Sequence, residues 1–375
     1  MKKTKLFIAT LLLLLTTTLL IGCDNRTPEE KAEYYTTESE IQPWYNSHPD
    51  SAKTPDFKVK TGEVRLHFYG WGLQEDSLIT VKFPESTDEY ERAILTYRMG
   101  GWNEGPADWD MTTMIMVKDK NTGKFFEIAR AFTPYGGYFN AAWEKFYYMD
   151  ITEYLPMLTG ETEFYIYYGG WDATSKKAHT VQLTFEFYKG KKGHKCVYYE
   201  KIYDSRESSN TGYRSWAYGV DSASIEDVAR LGERTITVPD DVKYLLMKVS
   251  ISGHGHDQGK FPDRSGSKKY ANNAAEFDEN WYTVKINGNV TYKGHIFYDN
   301  SNTYRQAGTY KYNRANWGPG LPLKVDYLTI NNIPKENREM TIDFDLDNFI
   351  SKVNSLSGEG LAQYIIEVDV FGFSK

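Results

Sequence analysis

The chain has 375 residues, of which 40% are apolar and 25% are charged, and its formal net charge is −7. This length is typical of two domains, and the composition excludes a disordered or collagen-like chain. The acidic balance excludes the basic surface on which nucleic-acid binding depends, so DNA and RNA are not expected partners. The aromatic content is high, with 30 Tyr, 19 Phe and 9 Trp, and aromatic side chains favour strands.

The first 22 residues have the pattern of an export signal. Basic residues precede an apolar run from Leu6 to Ile21, which is too short to span a membrane comfortably. The run ends in Leu20-Ile21-Gly22-Cys23, which resembles the bacterial lipobox. That resemblance implies cleavage before Cys23 and lipidation of its sulfur, with an ordinary secretory signal and a chance cysteine as the alternative. We therefore expect a protein of the bacterial cell envelope, lipid-anchored at the outer-membrane surface or the periplasmic face.

Residues 23–60 are polar and rich in Pro, Glu, Ser and Thr, which predicts a flexible linker. Residues 61–190 then carry short β-rich runs separated by turn residues, the pattern of an antiparallel sandwich. The runs are Glu63–Phe68, Ser77–Phe83, Arg92–Met99, Thr112–Val117, Lys124–Phe132, Lys145–Ile151, Glu163–Tyr168 and Thr180–Tyr188.

A polar joint follows at Lys189–Gly193, and residues 194–375 carry a second series of strand patterns. Helical pattern is confined to Ser224–Leu231 and Leu346–Val353. The predicted fold is all-β, with two adjacent jelly-roll β-sandwich domains after the signal peptide and the linker. The clearest strand patterns of the second series are Val197–Tyr203, Thr235–Val238, Tyr244–Ser252, Trp281–Asn287, Leu323–Ile330, Met340–Phe344 and Gln363–Phe371.

The cysteines provide no disulfide. Once Cys23 is lipidated, Cys196 is the one cysteine left in the sequence, so an internal bridge cannot form. Neighbouring His194 and Lys195 are compatible with an activated thiol, but a buried cysteine in a strand fits the pattern better.

Common catalytic motifs are missing from the sequence. It contains no Gly-x-x-x-x-Gly-Lys phosphate loop, no Gly-x-Ser-x-Gly nucleophile elbow and no Cys-x-x-Cys pair. On a strand, His254 and His256 would point to the same face, an arrangement that suits a metal. No third ligand is evident beyond Asp257 or Asp263, and a hydrogen-bonding histidine at a loop edge is the alternative. We therefore assign no metal and no cofactor.

Two carboxylates stand beside aromatic residues in predicted loops. Asp110 follows Trp109, and Glu276 precedes Phe277. A desolvated acid in such a setting is suited to acid–base chemistry, although each acid taken alone is more typical of a solvated loop. The two acids are 166 positions apart, so only the fold can bring them together.

In their order along the chain, several segments resemble the peptide-N-glycosidase F family, amidases that remove asparagine-linked glycans. Each motif is weak alone, and their ordered combination over about residues 60–335 is specific. The motifs are Asp108–Asp110, Val117–Lys124, Glu127–Tyr135, Asp150–Tyr154, Thr162–Tyr167, Trp171, Ile251–His256, Ala275–Phe277 and Asn313–Gly320.

The resemblance implies two side-by-side jelly rolls with the active site in the cleft between them, and it implies no metal. Asp110 matches the family's essential aspartate, which activates the attacking water. Glu276 matches a glutamate that orients water and binds the first N-acetylglucosamine. The implied partners are N-glycosylated proteins or peptides. The candidate substrate-binding residues in the matched segments are Trp109, Trp171, Arg314 and His256.

The chain also departs from the family pattern. Gly169 stands where the family carries a third active-site glutamate, and Asp172 replaces it only if its side chain reaches the site. Met111 replaces an arginine and His254 a cleft tryptophan, and the family's loop disulfides are missing from the sequence. Loss of one acid–base group typically lowers a rate by about 10²–10⁴.

Three functions are open on this basis. The first is a peptide-N4-(N-acetyl-β-glucosaminyl)asparagine amidase that hydrolyses the Asn side-chain amide of glycoproteins. The second is a catalytically impaired relative that binds glycans or glycoproteins at the cell surface. The third, copper-type oxygenation, rests on His254 and His256 and on a fold analogy alone, and fold does not determine function.

Overall fold

The computed structural model describes residues 53–69, 77–137, 139–170, 172, 176–190, 194–205, 231–254, 276, 279–298, 314–346 and 363–374. Within these ranges the chain is built from antiparallel strands, joined by turns and one short 3-10 turn at Thr152–Tyr154. This confirms the all-β class predicted from the strand patterns. The lipobox and the two helical patterns lie outside the described residues, apart from Leu231 and Leu346 at their ends.

The described part of residues 53–190 forms two antiparallel sheets. Its strands are β1 (Phe57–Lys60), β2 (Val64–Leu66), β3 (Ser77–Lys82), β4 (Tyr90–Asn103), β5 (Thr112–Lys118), β6 (Phe125–Phe132), β7 (Glu144–Asp150), β8 (Glu161–Tyr168) and β9 (Lys177–Lys189). One sheet has the order β1-β9-β4-β7, with β2 also paired to β9, and the other has the order β3-β8-β5-β6. Alternate side chains of both sheets point inward and form a shared core, as in a sandwich.

The described part of residues 194–374 repeats the arrangement. Its strands are β10 (Lys195–Asp204), β11 (Arg234–Thr237), β12 (Tyr244–His254), β13 (Asn280–Ile286), β14 (Asn289–Ile296), β15 (Val325–Ile330), β16 (Glu339–Leu346) and β17 (Gln363–Ser374). The sheets have the orders β10-β17-β12-β15 and β11-β16-β13-β14, with a second core between them. Cys196 lies buried in β10, which confirms the prediction of a strand cysteine.

Two strands differ from the sequence analysis. The linker interpretation of residues 23–60 is wrong for Phe57–Lys60, because β1 pairs with β9 and the Phe57 ring packs 5.3 Å from that of Phe187. Strand β14 was not predicted. It forms a hairpin with β13 through Asn287 and Gly288, whose φ angles of 49° and 74° are those of a tight hairpin turn.

A buried polar network joins the two halves; we call it the interface network, and it consists of Glu127, Arg130, Tyr154 and Lys248. Arg130 binds both carboxylate oxygens of Glu127 at 3.0 and 2.7 Å and donates to Ser252 Oγ at 2.6 Å. Lys248 Nζ donates to the carbonyls of Glu127 and Ile128 and to the Tyr154 hydroxyl, at 2.7, 3.1 and 2.7 Å. Buried charges are stable only when paired in this way.

The second half also adds main chain to a sheet of the first. Phe132 N donates to Leu321 O at 2.9 Å, Leu323 N donates to Arg130 O at 2.8 Å, and Ala131 pairs with Pro322 between them. The segment 321–323 therefore lies along the free edge of β6. In the part of the chain that the structure describes, no helix is long and apolar enough to cross a membrane.

Candidate active site

Asp110 lies just before β5, in a turn held from both sides. The Thr133 hydroxyl accepts a hydrogen bond from Met111 N at 2.6 Å and donates one to Trp109 O at 3.1 Å. Thr133 N in turn donates to Met111 O at 3.0 Å. The three bonds fix the backbone on each side of Asp110 and thereby the direction of its side chain.

The beginning of β9 holds the loop that precedes Asp110 in the chain. Ala107 N donates to His179 Nε2 at 3.3 Å, Ala178 N donates to Gly105 O at 3.1 Å, and Lys177 pairs with Asp108 at 2.5 Å. Burial and the neighbouring His67 lower the pKa of His179 to about 3. His179 therefore stays neutral and keeps its acceptor nitrogen over the physiological pH range.

Arg314 comes from the second half of the chain. Its main chain exchanges two hydrogen bonds with Tyr298, at 2.7 and 3.1 Å, and the next residue, Ala315, donates to Glu276 O at 3.0 Å. The guanidinium carbon lies 4.4 Å from the centre of the Trp317 ring, a cation–π contact that orients it. These contacts bring Glu276 and Arg314 to the same edge of the second half.

The structure brings three of the predicted site residues together. Arg314 Nη2 lies 2.9 Å from Asp110 Oδ2, and Nη1 of the same guanidinium binds Glu276 Oε1. The exposed fractions of the three side chains are 3% for Arg314, 11% for Asp110 and 15% for Glu276. One buried arginine therefore bridges two carboxylates that come from opposite halves of the molecule.

Burial sets the chemistry of Asp110. Desolvation raises its pKa to about 6, with the positive charge of Arg314 opposing and the negative charge of Glu276 adding to the rise. A carboxylate with this pKa is mostly ionised near neutral pH and binds a proton more strongly than an exposed aspartate does. It is therefore suited to take a proton from water.

Two aromatic side chains lie beside the carboxylates. The exposed ring of Trp109 packs edge-on against Tyr135 with the ring centres 5.6 Å apart. Burial raises the pKa of Tyr135, and the charge of Asp110 raises it further, so Tyr135 faces the site. Tyr135 ends the matched segment Glu127–Tyr135, and no role was predicted for it from the sequence. Trp171, His256 and Cys23 lie outside the described residues.

His254 is not an open replacement for a cleft tryptophan. It ends β12, is 7% exposed, and its Nε2 lies 2.7 Å from Ser252 Oγ. Its ring stacks on Trp317 at 5.6 Å, on the ring that also supports Arg314. Burial and the charges of Arg130 and Arg314 hold the pKa of His254 well below its usual value. The structure therefore makes His254 a packing residue behind the site.

Gly169 directly follows β8 and donates its N–H to Thr112 O at 2.8 Å, two residues from Asp110. A Cβ atom at this position would meet Thr112 O and the Tyr167 ring at 3.4 Å, which is ordinary contact distance. The position therefore has room for a side chain. Asp172 lies beyond the end of β8. Burial raises the pKa of Tyr168, and the charge of Asp172 raises it further.

Among the residues that the structure describes, no group of three or more His, Cys, Asp and Glu is placed to hold a metal ion. The site that is present is a bridged pair of carboxylates with aromatic neighbours. Such a site provides a proton acceptor, a fixed positive charge and apolar ring faces.

Comparison with known proteins gives consistent likenesses. No family model matches the sequence. The sequence is 26% identical over 284 residues to peptide-N(4)-(N-acetyl-beta-D-glucosaminyl)asparagine amidase F of Elizabethkingia miricola, covering 72% of each chain.

Two solved structures resemble the whole fold. Recombinant peptide:N-glycanase F (PNGase F) superposes with a TM-score of 0.66 and 22% identity, over 85% of this chain and 95% of the other. The structure of PNGF-II superposes with a TM-score of 0.60 and 15% identity, over 84% of this chain and 65% of the other. At these identities the superpositions show a common β-sandwich fold.

Proposed function

The chain belongs to the peptide-N-glycosidase F family, and we propose that it hydrolyses the side-chain amide of glycosylated asparagine in glycoproteins or glycopeptides. The products are a peptide that carries aspartate at that position and a glycosylamine. The observation that carries the proposal is the bridge from Arg314 to both Asp110 and Glu276. It joins two carboxylates that are far apart in the sequence at one buried point.

In the proposed reaction Asp110 takes a proton from water, and the water oxygen attacks the side-chain amide carbon. The carbon–nitrogen bond then breaks, and the proton held by Asp110 passes to the leaving nitrogen. Glu276 orients the water and accepts a hydrogen bond from a hydroxyl of the first sugar. Arg314 offsets the negative charge that develops on the amide oxygen. Trp109 offers its exposed ring to an apolar sugar face.

Mass spectrometry of a defined N-glycopeptide incubated with the full-length protein tests the reaction. We expect loss of the whole glycan together with conversion of Asn to Asp. The Asp110→Asn and Glu276→Gln variants should lose turnover while still binding the glycopeptide. Cleavage that leaves one N-acetylglucosamine on the peptide would contradict the proposed mechanism.

Gly169 supports the second candidate function, a protein that binds glycans without cleaving them. By the family resemblance, Gly169 stands where relatives carry a glutamate, and a site without that group would lack one acid–base residue. Glycopeptide binding without product, on both high-mannose and complex glycans, would favour this candidate.

We also propose that Cys23 carries a lipid anchor, which would hold the protein in the bacterial cell envelope. The support is the sequence Leu20-Ile21-Gly22-Cys23. Mass spectrometry of the N-terminal peptide should detect the acyl groups, and Cys23→Ser should release the protein from membranes. A Cys23→Ser protein that stays membrane-bound would overturn this proposal.

A further inference from the structure

A cavity of about 380 Å³ lies between the two halves. Its walls include Ile128 of β6 and Glu153 of the 3-10 turn from the first half, and Lys248 of β12, Tyr327 of β15 and Phe373 of β17 from the second. The volume lies in the range of small-molecule sites, about 300–1,000 Å³.

This cavity is separate from the Asp110 site. Lys248, in the cavity wall, and His254, behind the Arg314 guanidinium, are six residues apart on β12. At a rise of about 3.3 Å per residue the two positions are about 20 Å apart. A ligand in the cavity therefore does not touch the bridged carboxylates.

The cavity contains a buried acid that the proposed reaction does not use. Glu153 is 6% exposed, and the Tyr327 hydroxyl donates to its Oε1 at 3.3 Å. Burial raises the pKa of Glu153 to about 7, with the charge of Lys248 opposing the rise. Near neutral pH this side chain is therefore able both to accept and to donate hydrogen bonds.

The charges around the cavity restrict its ligand. Lys248 already makes three hydrogen bonds inside the interface network, so it has no donor left for an anion. Glu153 faces the Lys248 charge, and Asp150 pairs with Arg92 at 3.3 Å. Because both carboxylates already lie near a positive charge, a cationic ligand is not required to balance them. A neutral ligand rich in hydroxyl or amide donors fits best.

We propose that this cavity is a second carbohydrate site, which takes one or two neutral pyranose rings. Sugar hydroxyls would bind Glu153 and the Tyr327 hydroxyl. The half-exposed Tyr327 ring and the apolar side chains of the wall would cover a ring face. A sugar held there would contact both halves of the molecule and give a glycan a second point of attachment about 20 Å from the cleft.

Crystals of the full-length Asp110→Asn protein soaked with N-acetylglucosamine or methyl mannoside locate the sugar. We expect density between Glu153 and Tyr327. Titration calorimetry with the same sugars gives the affinity. Tyr327→Ala and Glu153→Met should weaken the cavity site at least fivefold, because stacking and the buried acceptor are lost.

The matched control is Trp281→Ala, which removes another exposed aromatic ring of the second half that is stacked on His295. It should leave the affinity unchanged. Sugar density confined to the Asp110 cleft or to the Trp281 ring would overturn the inference, as would unchanged affinity in folded Tyr327→Ala protein. The probe sugars are not substrates of the amidase. A protein that does not release glycans can therefore still be tested for sugar binding in the cavity, so the two proposals can fail independently.

Discussion

At the scale of single residues, Asp110 sets the expected pH dependence of the reaction. Its carboxylate accepts a proton only when ionised, and burial raises its pKa to about 6. Turnover should therefore fall about tenfold for each pH unit below about 6 and level off above it. Rates on a glycopeptide between pH 4 and 8 measure this. A rate that does not change between pH 5 and 7 would exclude Asp110 as the base.

The same burial makes Asp110 a source of instability. Its pKa rises from 3.8 to about 6 on folding, so between these values the folded state binds more protons than the unfolded state. The free energy of unfolding therefore falls as pH rises from about 3.8 to about 6. Above about pH 6 the folded protein carries the full free-energy cost of burying the ionised carboxylate. We expect Asp110→Asn, which cannot ionise, to raise the melting temperature at pH 7 while it lowers turnover by about 10²–10⁴. Wild-type and variant melting temperatures that differ equally at pH 4 and pH 7 would contradict this explanation.

Gly169 is a position where activity should be gained. A Cβ atom fits there. The Gly169 N–H bonds to the carbonyl of Thr112, the first residue of β5 and two residues from Asp110, so a carboxylate at this position is expected near Asp110. We expect Gly169→Glu to raise turnover about tenfold or more, since a positioned acid–base group contributes about 10²–10⁴. Gly169→Gln, which has the same size without the charge, is the control, and equal gains in both variants would exclude an acid–base role.

At the scale of elements, the turn before β5 depends on one hydroxyl. Thr133 Oγ1 holds Met111 N and Trp109 O, and valine has the same shape without these bonds. We expect Thr133→Val to lower kcat about tenfold and to leave KM nearly unchanged, because Asp110 is displaced while the sugar contacts remain. Thr133→Ser keeps the hydroxyl and should restore kcat. A Thr133→Val protein with normal kcat would show that the turn is held by its other contacts.

Most strands could be predicted from the alternation of apolar and polar residues. Two strands could not be predicted, and each was missed for a physical reason. Phe57–Lys60 is a short strand at the end of a polar segment, and it is ordered by pairing with β9, a partner far away in the sequence. Asn289–Ile296 has only exposed or half-exposed residues over its first five positions, which hides the alternation. The Asn287-Gly288 pair before it is a hairpin signal that would have identified it.

At the scale of the whole molecule, the meeting of Asp110 and Glu276 could not be derived from spacing. Side chains 166 positions apart meet only through tertiary structure, and the family resemblance was the one guide to it. The interface network could not be predicted from the sequence either. In a strand, Lys248 and Glu127 look like ordinary outward-facing polar residues, and only the second half makes them buried.

The interface network predicts how firmly the halves hold together. Lys248→Met keeps the aliphatic stem but leaves the carbonyls of Glu127 and Ile128 without their lysine donor. We expect a loss of about 2–4 kcal/mol in the free energy of unfolding, measured with urea, because each buried acceptor that loses its donor costs about 1–3 kcal/mol. Lys189→Met breaks an exposed pair with Glu89 and should leave the free energy of unfolding nearly unchanged, because solvent screens such a pair. Equal losses in both variants would mean that the network adds little.

The segment 321–323 along β6 has a further consequence, for solubility. An uncovered outer strand offers unpaired N–H and C=O groups to other chains, and it is a common starting point for aggregation. Here the second half satisfies the backbone groups of Arg130 and Phe132 at that edge. The first half therefore has an unpaired strand edge until the second half has been translated and has folded. We expect nascent or truncated chains to aggregate more readily and to be bound by chaperones or degraded by proteases for this reason.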